Sequence, residues 1–194
     1  MDHRNIVLIG HRCSGKSAVG ERLAEALGRP FVDTDRRIEG QAGCAINTLV
    51  LREGWPHFRA LEAQVIRHVA KSNNLVIATG GGSVLDENNV RHLKANGIMV
   101  WLKADAAVLG LRLERDPRSR ESRPSLTGGD LRGEISEMLR KRRPCYESVC
   151  DLSVNTSHLN INDVTESIIG SLKKPSVKRS RVPWAEILSD KFSG

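Results

Sequence analysis

Residues 10–17 read Gly10-His11-Arg12-Cys13-Ser14-Gly15-Lys16-Ser17, a Gly-x-x-x-x-Gly-Lys-Ser stretch. Glycines at this spacing let the backbone wrap a polyphosphate, with several N–H groups pointing inward at the start of a helix. Lys16 supplies a cation for the outer phosphates, and the Ser17 hydroxyl is placed to ligate Mg²⁺. A chance turn of Gly, Lys and Ser is the plain alternative. The flanks argue against it: Asn5-Ile6-Val7-Leu8-Ile9 is a β-prone apolar run, and helix-forming sequence follows from Lys16 through Leu27. Nucleoside-triphosphate binding is therefore expected, with Gly10, Cys13, Ser14, Gly15, Lys16, Ser17 and Ala18 as the phosphate-binding set.

Further groups suited to chemistry lie downstream. Phe31-Val32-Asp33-Thr34-Asp35 places two carboxylates at i, i+2 on a strand end, so Asp33 can reach toward Mg²⁺ and Asp35 toward an acceptor hydroxyl. An Asp or Thr capping the helix at 35–41 is the simpler use. Arg59 and Glu62 are three apart on a helix. They form either a solvated ion pair of little value, or a pair in which Glu62 steadies Arg59 while it grips a carboxylate. Leu75-Val76-Ile77-Ala78-Thr79 ends in Gly80-Gly81-Gly82. Three glycines cost backbone entropy and pack nothing, so close approach of a ligand explains them better than a turn does. Arg140-Lys141-Arg142-Arg143-Pro144-Cys145-Tyr146 is basic at the expected end of a helix. Cations suit a helix C-terminus, which accounts for the charge but not for the Arg-x-Pro-x-Tyr pattern.

Positioning these groups requires alternating strands and helices, the mark of an α/β parallel sheet. The expected strands are 5–9, 31–33, 74–79, 98–102 and 150–154; the expected helices are 16–27, 35–41, 45–52, 57–71, 87–95, 105–115, 130–142 and 161–172. Right-handed crossovers set all strand C-termini on one edge, which brings Gly10–Ser17, Asp33–Asp35 and Gly80–Gly82 together. At 194 residues a single domain over 1–172 is expected, followed by a basic tail, 173–194, with a short helix at 183–192. The polar, arginine-bearing stretch 116–129 reads as a surface linker or as a phosphotransfer lid.

The formal net charge of +7 suits an anionic small molecule or a nucleic acid. Only 4% of residues are aromatic, which leaves few base-stacking surfaces, so anionic small molecules are favoured and no nucleic-acid partner is expected. No run of eighteen apolar residues occurs, and Met1-Asp2-His3-Arg4 carries no signal-peptide pattern. Cys13, Cys44, Cys145 and Cys150 lack disulfide or zinc spacing. They are read as reduced, mostly buried thiols of a cytoplasmic protein, expected to be a monomer with no membrane partner.

The ordered set of Gly-x-x-x-x-Gly-Lys-Ser, Asp33-Thr34-Asp35, Phe58-Arg59-x-x-Glu62, Thr79-Gly80-Gly81-Gly82, Arg123-Pro124-x-Leu126 and Arg142-x-Pro144-x-Tyr146 resembles the shikimate kinase family. The resemblance spans roughly 5–172. It implies a three-layer P-loop fold with a five-stranded parallel sheet and a lid, in the manner of nucleoside-monophosphate kinases. It also implies MgATP-dependent phosphorylation of the shikimate 3-hydroxyl, a step of aromatic amino-acid biosynthesis. By motif, Asp35, Arg59, Gly81 and Arg142 would bind shikimate with Gly80 and Gly82 beside them, in an acceptor segment over about 33–62. Asp33 would reach the magnesium through water, Ser17 would ligate it, and Arg123 would be the lid arginine on the ATP phosphates. Lys16, Asp35 and Arg123 are the expected catalytic groups. Either Arg112 or Arg115 would contact adenine. Gluconate kinase is the alternative of the same fold, and a nucleic-acid-binding NTPase the alternative of another class.

Overall fold

Alternate residues of the central strands are apolar on both sides, so the sheet must be covered on both faces. β1 (Asn5–Ile9) is buried throughout, and β4 (Gly97–Lys103) is buried up to its last residue. Odd positions Val7, Ile9, Ile77, Met99 and Trp101 share one core, while even positions Ile6, Leu8, Val76, Ile98, Val100 and Leu102 share the other. This two-residue period is what a pleated strand imposes. In the computed structural model of the chain, residues 3–116 and 131–173 are described. Their order adds α1 (Lys16–Leu27), β2 (Phe31–Asp33), α2 (Thr34–Ala42), α3 (Ile46–Val69), β3 (Val76–Ala78) and α4 (Glu87–Ala95). After β4 come α5 (Ala106–Arg115), α6 (Leu131–Val149), β5 (Leu152–Asn155) and α7 (Ile161–Leu172).

The five strands are parallel in the order β2-β3-β1-β4-β5. Val19, Leu23 and Ala24 of α1 pack with Val164 and Ile168 of α7 on the even-numbered face. The other face carries Ile38, Phe58, Ile66, Leu93, Tyr146 and Val149, drawn from α2, α3, α4 and α6. The result is a three-layer α/β sandwich whose strand C-termini all lie on one edge, as the motif order requires.

Several boundaries differ from those read in the sequence. The helices expected at 45–52 and 57–71 form one helical run, 46–69, broken at Gly54 (φ 82°, ψ 167°). Gly28 caps α1 in the left-handed region (φ 62°), and its N–H reaches the Ala24 and Glu25 carbonyls. The helix expected to stop at 142 runs on to Val149 with Pro144 inside it. Burial of Cys145, Tyr146 and Val149 outweighs the one backbone bond the proline cannot donate. The strand expected at 150–154 begins later because the Cys150 N–H still bonds to the Tyr146 carbonyl at 3.0 Å. The strand expected at 74–79 shortens because the Leu75 N–H is taken by the Asn5 side chain at 2.9 Å. Of the four cysteines only Cys145 is buried; Cys13, Cys44 and Cys150 are half-buried, contrary to the expectation of mostly buried thiols. Residues 117–130, with the expected lid arginine Arg123, and the tail from 174 lie outside the described residues.

Gly97 opens β4 in close contact with its neighbours. A Cβ there would meet the Leu93 carbonyl oxygen at 2.4 Å and the Val7 side chain at 2.9 Å. Because a backbone carbonyl cannot swing aside, Gly97→Ala is expected to lower the unfolding free energy in urea by about 2 kcal/mol. A loss below about 0.5 kcal/mol would contradict this packing.

Candidate active site

The phosphate loop is shaped by backbone that side chains normally avoid. Gly10 (φ 143°) and Gly15 (φ 96°) take left-handed values, and so does Cys13 (φ 61°). A Cβ on Gly10 would sit 2.5 Å from the Leu102 carbonyl oxygen, so the loop can lie against β4 only with glycine there. The loop leads into α1, where Lys16, Ser17 and Ala18 form the first turn. Nζ of the buried Lys16 donates to the Gly10 and His11 carbonyls at 2.9 and 2.8 Å, which holds the cation within the curve of the loop. Arg112 on α5 donates to the Cys13 carbonyl at 3.4 Å and to the Thr156 hydroxyl at 3.1 Å. It thereby ties the loop to the segment after β5.

Asp33 serves two elements at once. Its Oδ2 accepts from the Ser17 hydroxyl at 2.6 Å, while its Oδ1 accepts from the Asp35 and Arg36 N–H groups at 3.0 and 3.2 Å. Helix cap and phosphate-side carboxylate are therefore one group. The same cap sets the first turn of α2, where the buried Thr34 accepts the Gly80 N–H at 3.2 Å. This bond joins the start of α2 to the end of β3.

Gly80, Gly81 and Gly82 are where Asp35, Arg59, Glu62 and Arg142 meet. A Cβ on Gly80 would lie 2.8 Å from both Asp35 Oδ1 and Glu62 Oε1. On Gly81 it would lie 3.2 Å from the Arg12 backbone nitrogen, and on Gly82 2.6 Å from Arg59 Nη2. The close approach inferred from the glycines is thus, in this fold, made by protein groups. Arg142 Nη1 donates to the Gly81 carbonyl at 3.3 Å, and the Tyr146 hydroxyl donates to the same oxygen at 2.6 Å. Two guanidinium groups therefore abut consecutive glycines, with the Asp35 carboxylate one residue away.

Arg59 and Glu62 are not a solvated pair. Glu62 is 1% exposed and Arg59 35% exposed, with Nη1 donating to Oε2 at 2.5 Å. The other Glu62 oxygen accepts from the buried Ser83 hydroxyl at 2.7 Å. Above the pair, the Arg59 guanidinium lies 5.2 Å from the Phe58 ring centroid and 5.6 Å from that of Trp55. A charge held on one side by a buried carboxylate and on the other by ring faces keeps its remaining N–H groups for an anion.

The family model described as Shikimate kinase matches residues 12–173. The chain belongs to the shikimate kinase family. A shikimate kinase of Syntrophus aciditrophicus is 40% identical over 176 residues, covering 87% of this chain and 90% of that one. One of Pelotomaculum thermopropionicum is 42% identical over 171 residues, covering 88% and 96%. Among solved structures, the shikimate kinase from Acinetobacter baumannii in complex with shikimate superposes with a TM-score of 0.81 at 32% identity, covering 88% and 93%. The five-stranded parallel sheet is the fold that this family resemblance implies.

Within this shikimate kinase framework, Gly10 to Ala18, Asp33, Asp35, Arg59, Gly80, Gly81, Gly82 and Arg142 all lie on the one sheet edge. Reading the sequence overlooked the bond from Gly80 to Thr34 and the part played by Ser83. Both residues flank motifs already singled out, one between the two aspartates and the other directly after the glycines. His11 carried no signal at all. It is buried, its Nδ1 donates to the Arg12 carbonyl at 2.8 Å, and its buried Nε2 has no hydrogen-bond partner among the described residues.

Burial, and then the nearby Lys16, Arg142 and Arg12 cations, hold the His11 pKa at about 4, against an ordinary 6.5. The group therefore binds a proton more readily unfolded than folded between those values, so stability falls as pH drops from 6.5 toward 4. From pH 7.5 to 5.0 the wild-type protein should lose about 2 kcal/mol more unfolding free energy than His11→Asn, whose amide can keep the bond to Arg12. Parallel pH profiles in urea denaturation would contradict this.

Proposed function

We propose that the protein transfers the γ-phosphoryl group of ATP to the 3-hydroxyl of shikimate, giving shikimate 3-phosphate and ADP. The observation that carries the reading is the convergence of Arg59, Arg142 and Asp35 on Gly80–Gly82, beside the phosphate loop. Shikimate offers a carboxylate and ring hydroxyls. Two guanidinium groups make a planar clamp for the first, and one carboxylate orients the second. Asp35 is the group that orients the attacking hydroxyl and accepts its proton late, as a loose phosphoryl-transfer transition state requires.

Lys16 meets the outer phosphates from within the loop, and its charge counters the negative charge that develops there. Arg123, in the segment outside the described residues, is assigned the same task from the lid. Ser17 and Asp33 offer a hydroxyl and a carboxylate 2.6 Å apart beside the loop, an all-oxygen donor set suited to Mg²⁺. Ser17 would hold the ion directly and Asp33 through water. Bound there, the ion would supply charge neutralisation for the phosphates.

Arg112, joined to both Cys13 and Thr156, is the arginine assigned to the adenine side. The protein acts as a monomer in the cytoplasm. Among the described residues, the exposed large apolar side chains Leu51, Trp55, Leu111, Leu159 and Ile161 fall in three separate segments. Among the described residues, no helix is long and apolar enough to cross a membrane.

Purified protein with MgATP should form shikimate 3-phosphate and leave gluconate untouched; turnover of gluconate alone would defeat the assignment. Arg59→Ala and Arg142→Ala should each lose about 2–4 kcal/mol of transition-state stabilisation, seen as reduced kcat/KM for shikimate. Nucleotide binding should be unchanged in both. Equal loss of ATP affinity would contradict the roles given to these arginines.

A further inference from the structure

We propose that Tyr146 is a positioning residue: its hydroxyl holds the Gly81 carbonyl and thereby aims the Arg142 guanidinium at the acceptor carboxylate. Arg142 and Tyr146 are four residues apart on α6, so both project from the same face of the helix. Both donate to a single oxygen, the Gly81 carbonyl, at 3.3 and 2.6 Å. The shorter bond belongs to the tyrosine, whose ring is 1% exposed and stacked on Trp101 of β4, with centroids 5.5 Å apart and planes 24° apart. The phenol is therefore locked by the core, while the arginine, longer and less buried, takes what remains of the carbonyl.

The division of labour follows from hydrogen-bond geometry. A carbonyl oxygen can accept two donors, and its preference is for short, well-directed bonds. With the phenol present, Gly81 is satisfied, and Arg142 adds a long bond to the same oxygen beside the phenol, which leaves the rest of its guanidinium available for a carboxylate. Without the phenol, the buried carbonyl keeps Arg142 as its one donor among the described side chains, and the guanidinium is drawn onto the backbone and away from the ligand. Burial raises the phenol pKa to about 12, so Tyr146 remains a neutral donor across the working pH range. The Pro144 within α6 lies between the pair and does not separate them, because the helix continues to Val149.

The inference rests on the proposed reaction, in which Arg142 binds the shikimate carboxylate. Tyr146→Phe keeps the ring on Trp101 and removes one oxygen. The expected result is an increase of about tenfold in KM for shikimate, the value of one directed hydrogen bond, with kcat and KM for ATP within about twofold. Combined with Arg142→Lys, the two effects should be less than additive, because both act through one guanidinium. Shikimate methyl ester, which lacks the carboxylate charge, should be used with the same kcat/KM by wild type and Tyr146→Phe.

Equal increases in both KM values, full additivity, or an equal penalty on the methyl ester would overturn the role and leave only packing. Tyr146 is also the one tyrosine in the chain, so 3-fluorotyrosine labels this site alone without removing the hydroxyl. Its ¹⁹F resonance should move on saturation with shikimate, and a fixed resonance would likewise overturn the role. Failure of the wild-type protein to phosphorylate shikimate would refute the reaction itself. Normal wild-type activity with an unchanged Tyr146→Phe variant would refute only the tyrosine.

Discussion

Three residues without side chains, just after β3, allow the phosphate loop and the Asp35, Arg59 and Glu62 side chains to occupy the same few ångströms. Gly81 lies against the backbone of Arg12 in the loop, Gly80 against Asp35 and Glu62, and Gly82 against Arg59. A methyl group at Gly80 or Gly82 would fall less than 3.0 Å from a functional side-chain atom. These side chains and the loop are brought together by backbone placement, without rearrangement of the core. Phosphoryl transfer depends mainly on positioning and charge, so a rigid meeting point is what the chemistry needs most from the fold.

Around that point, single groups perform structural and functional work together. Asp33 caps α2 while accepting from Ser17, so the helix that presents Asp35 is registered to the phosphate loop by one carboxylate. Glu62 is buried, and a buried carboxylate is tolerated only when paired and hydrogen-bonded. Arg59 and Ser83 meet that condition from opposite oxygens. Removing either partner would leave the other charge or lone pair unsatisfied, which restricts how Arg59 can move. The chain Asn89–Ser83–Glu62–Arg59 runs from α4 to the acceptor side through bonds of 3.3, 2.7 and 2.5 Å.

Much of this was legible in the residues because local rules dominate there. The phosphate loop announces itself through glycine spacing and its strand and helix flanks. The central strands show as apolar runs because both faces of the sheet are covered. The C-terminus of α6 was not legible: Pro144 reads as a stop, whereas burial of Tyr146 and Val149 against the sheet carries the helix past it. The break at Gly54 was visible as a gap between two helical patterns. The settings of Thr34, Ser83 and His11 stayed hidden for a different reason. Thr34 and Ser83 bond to neighbours 46 and 21 residues away in the chain, and burial of His11 brings it near Arg142 of a distant helix as well as its own neighbour Arg12, so no local pattern marks these settings. The charge on Arg59 was visible, but its setting against a buried carboxylate and two aromatic rings was not.

The most direct test of the account is a crystal structure with shikimate and a non-hydrolysable ATP analogue. The account predicts the shikimate carboxylate within hydrogen-bond reach of both Arg59 and Arg142, and the 3-hydroxyl between Asp35 and the γ-phosphate. A ring acid bound by only one of the two guanidinium groups, or with its 3-hydroxyl turned away from Asp35, would contradict it.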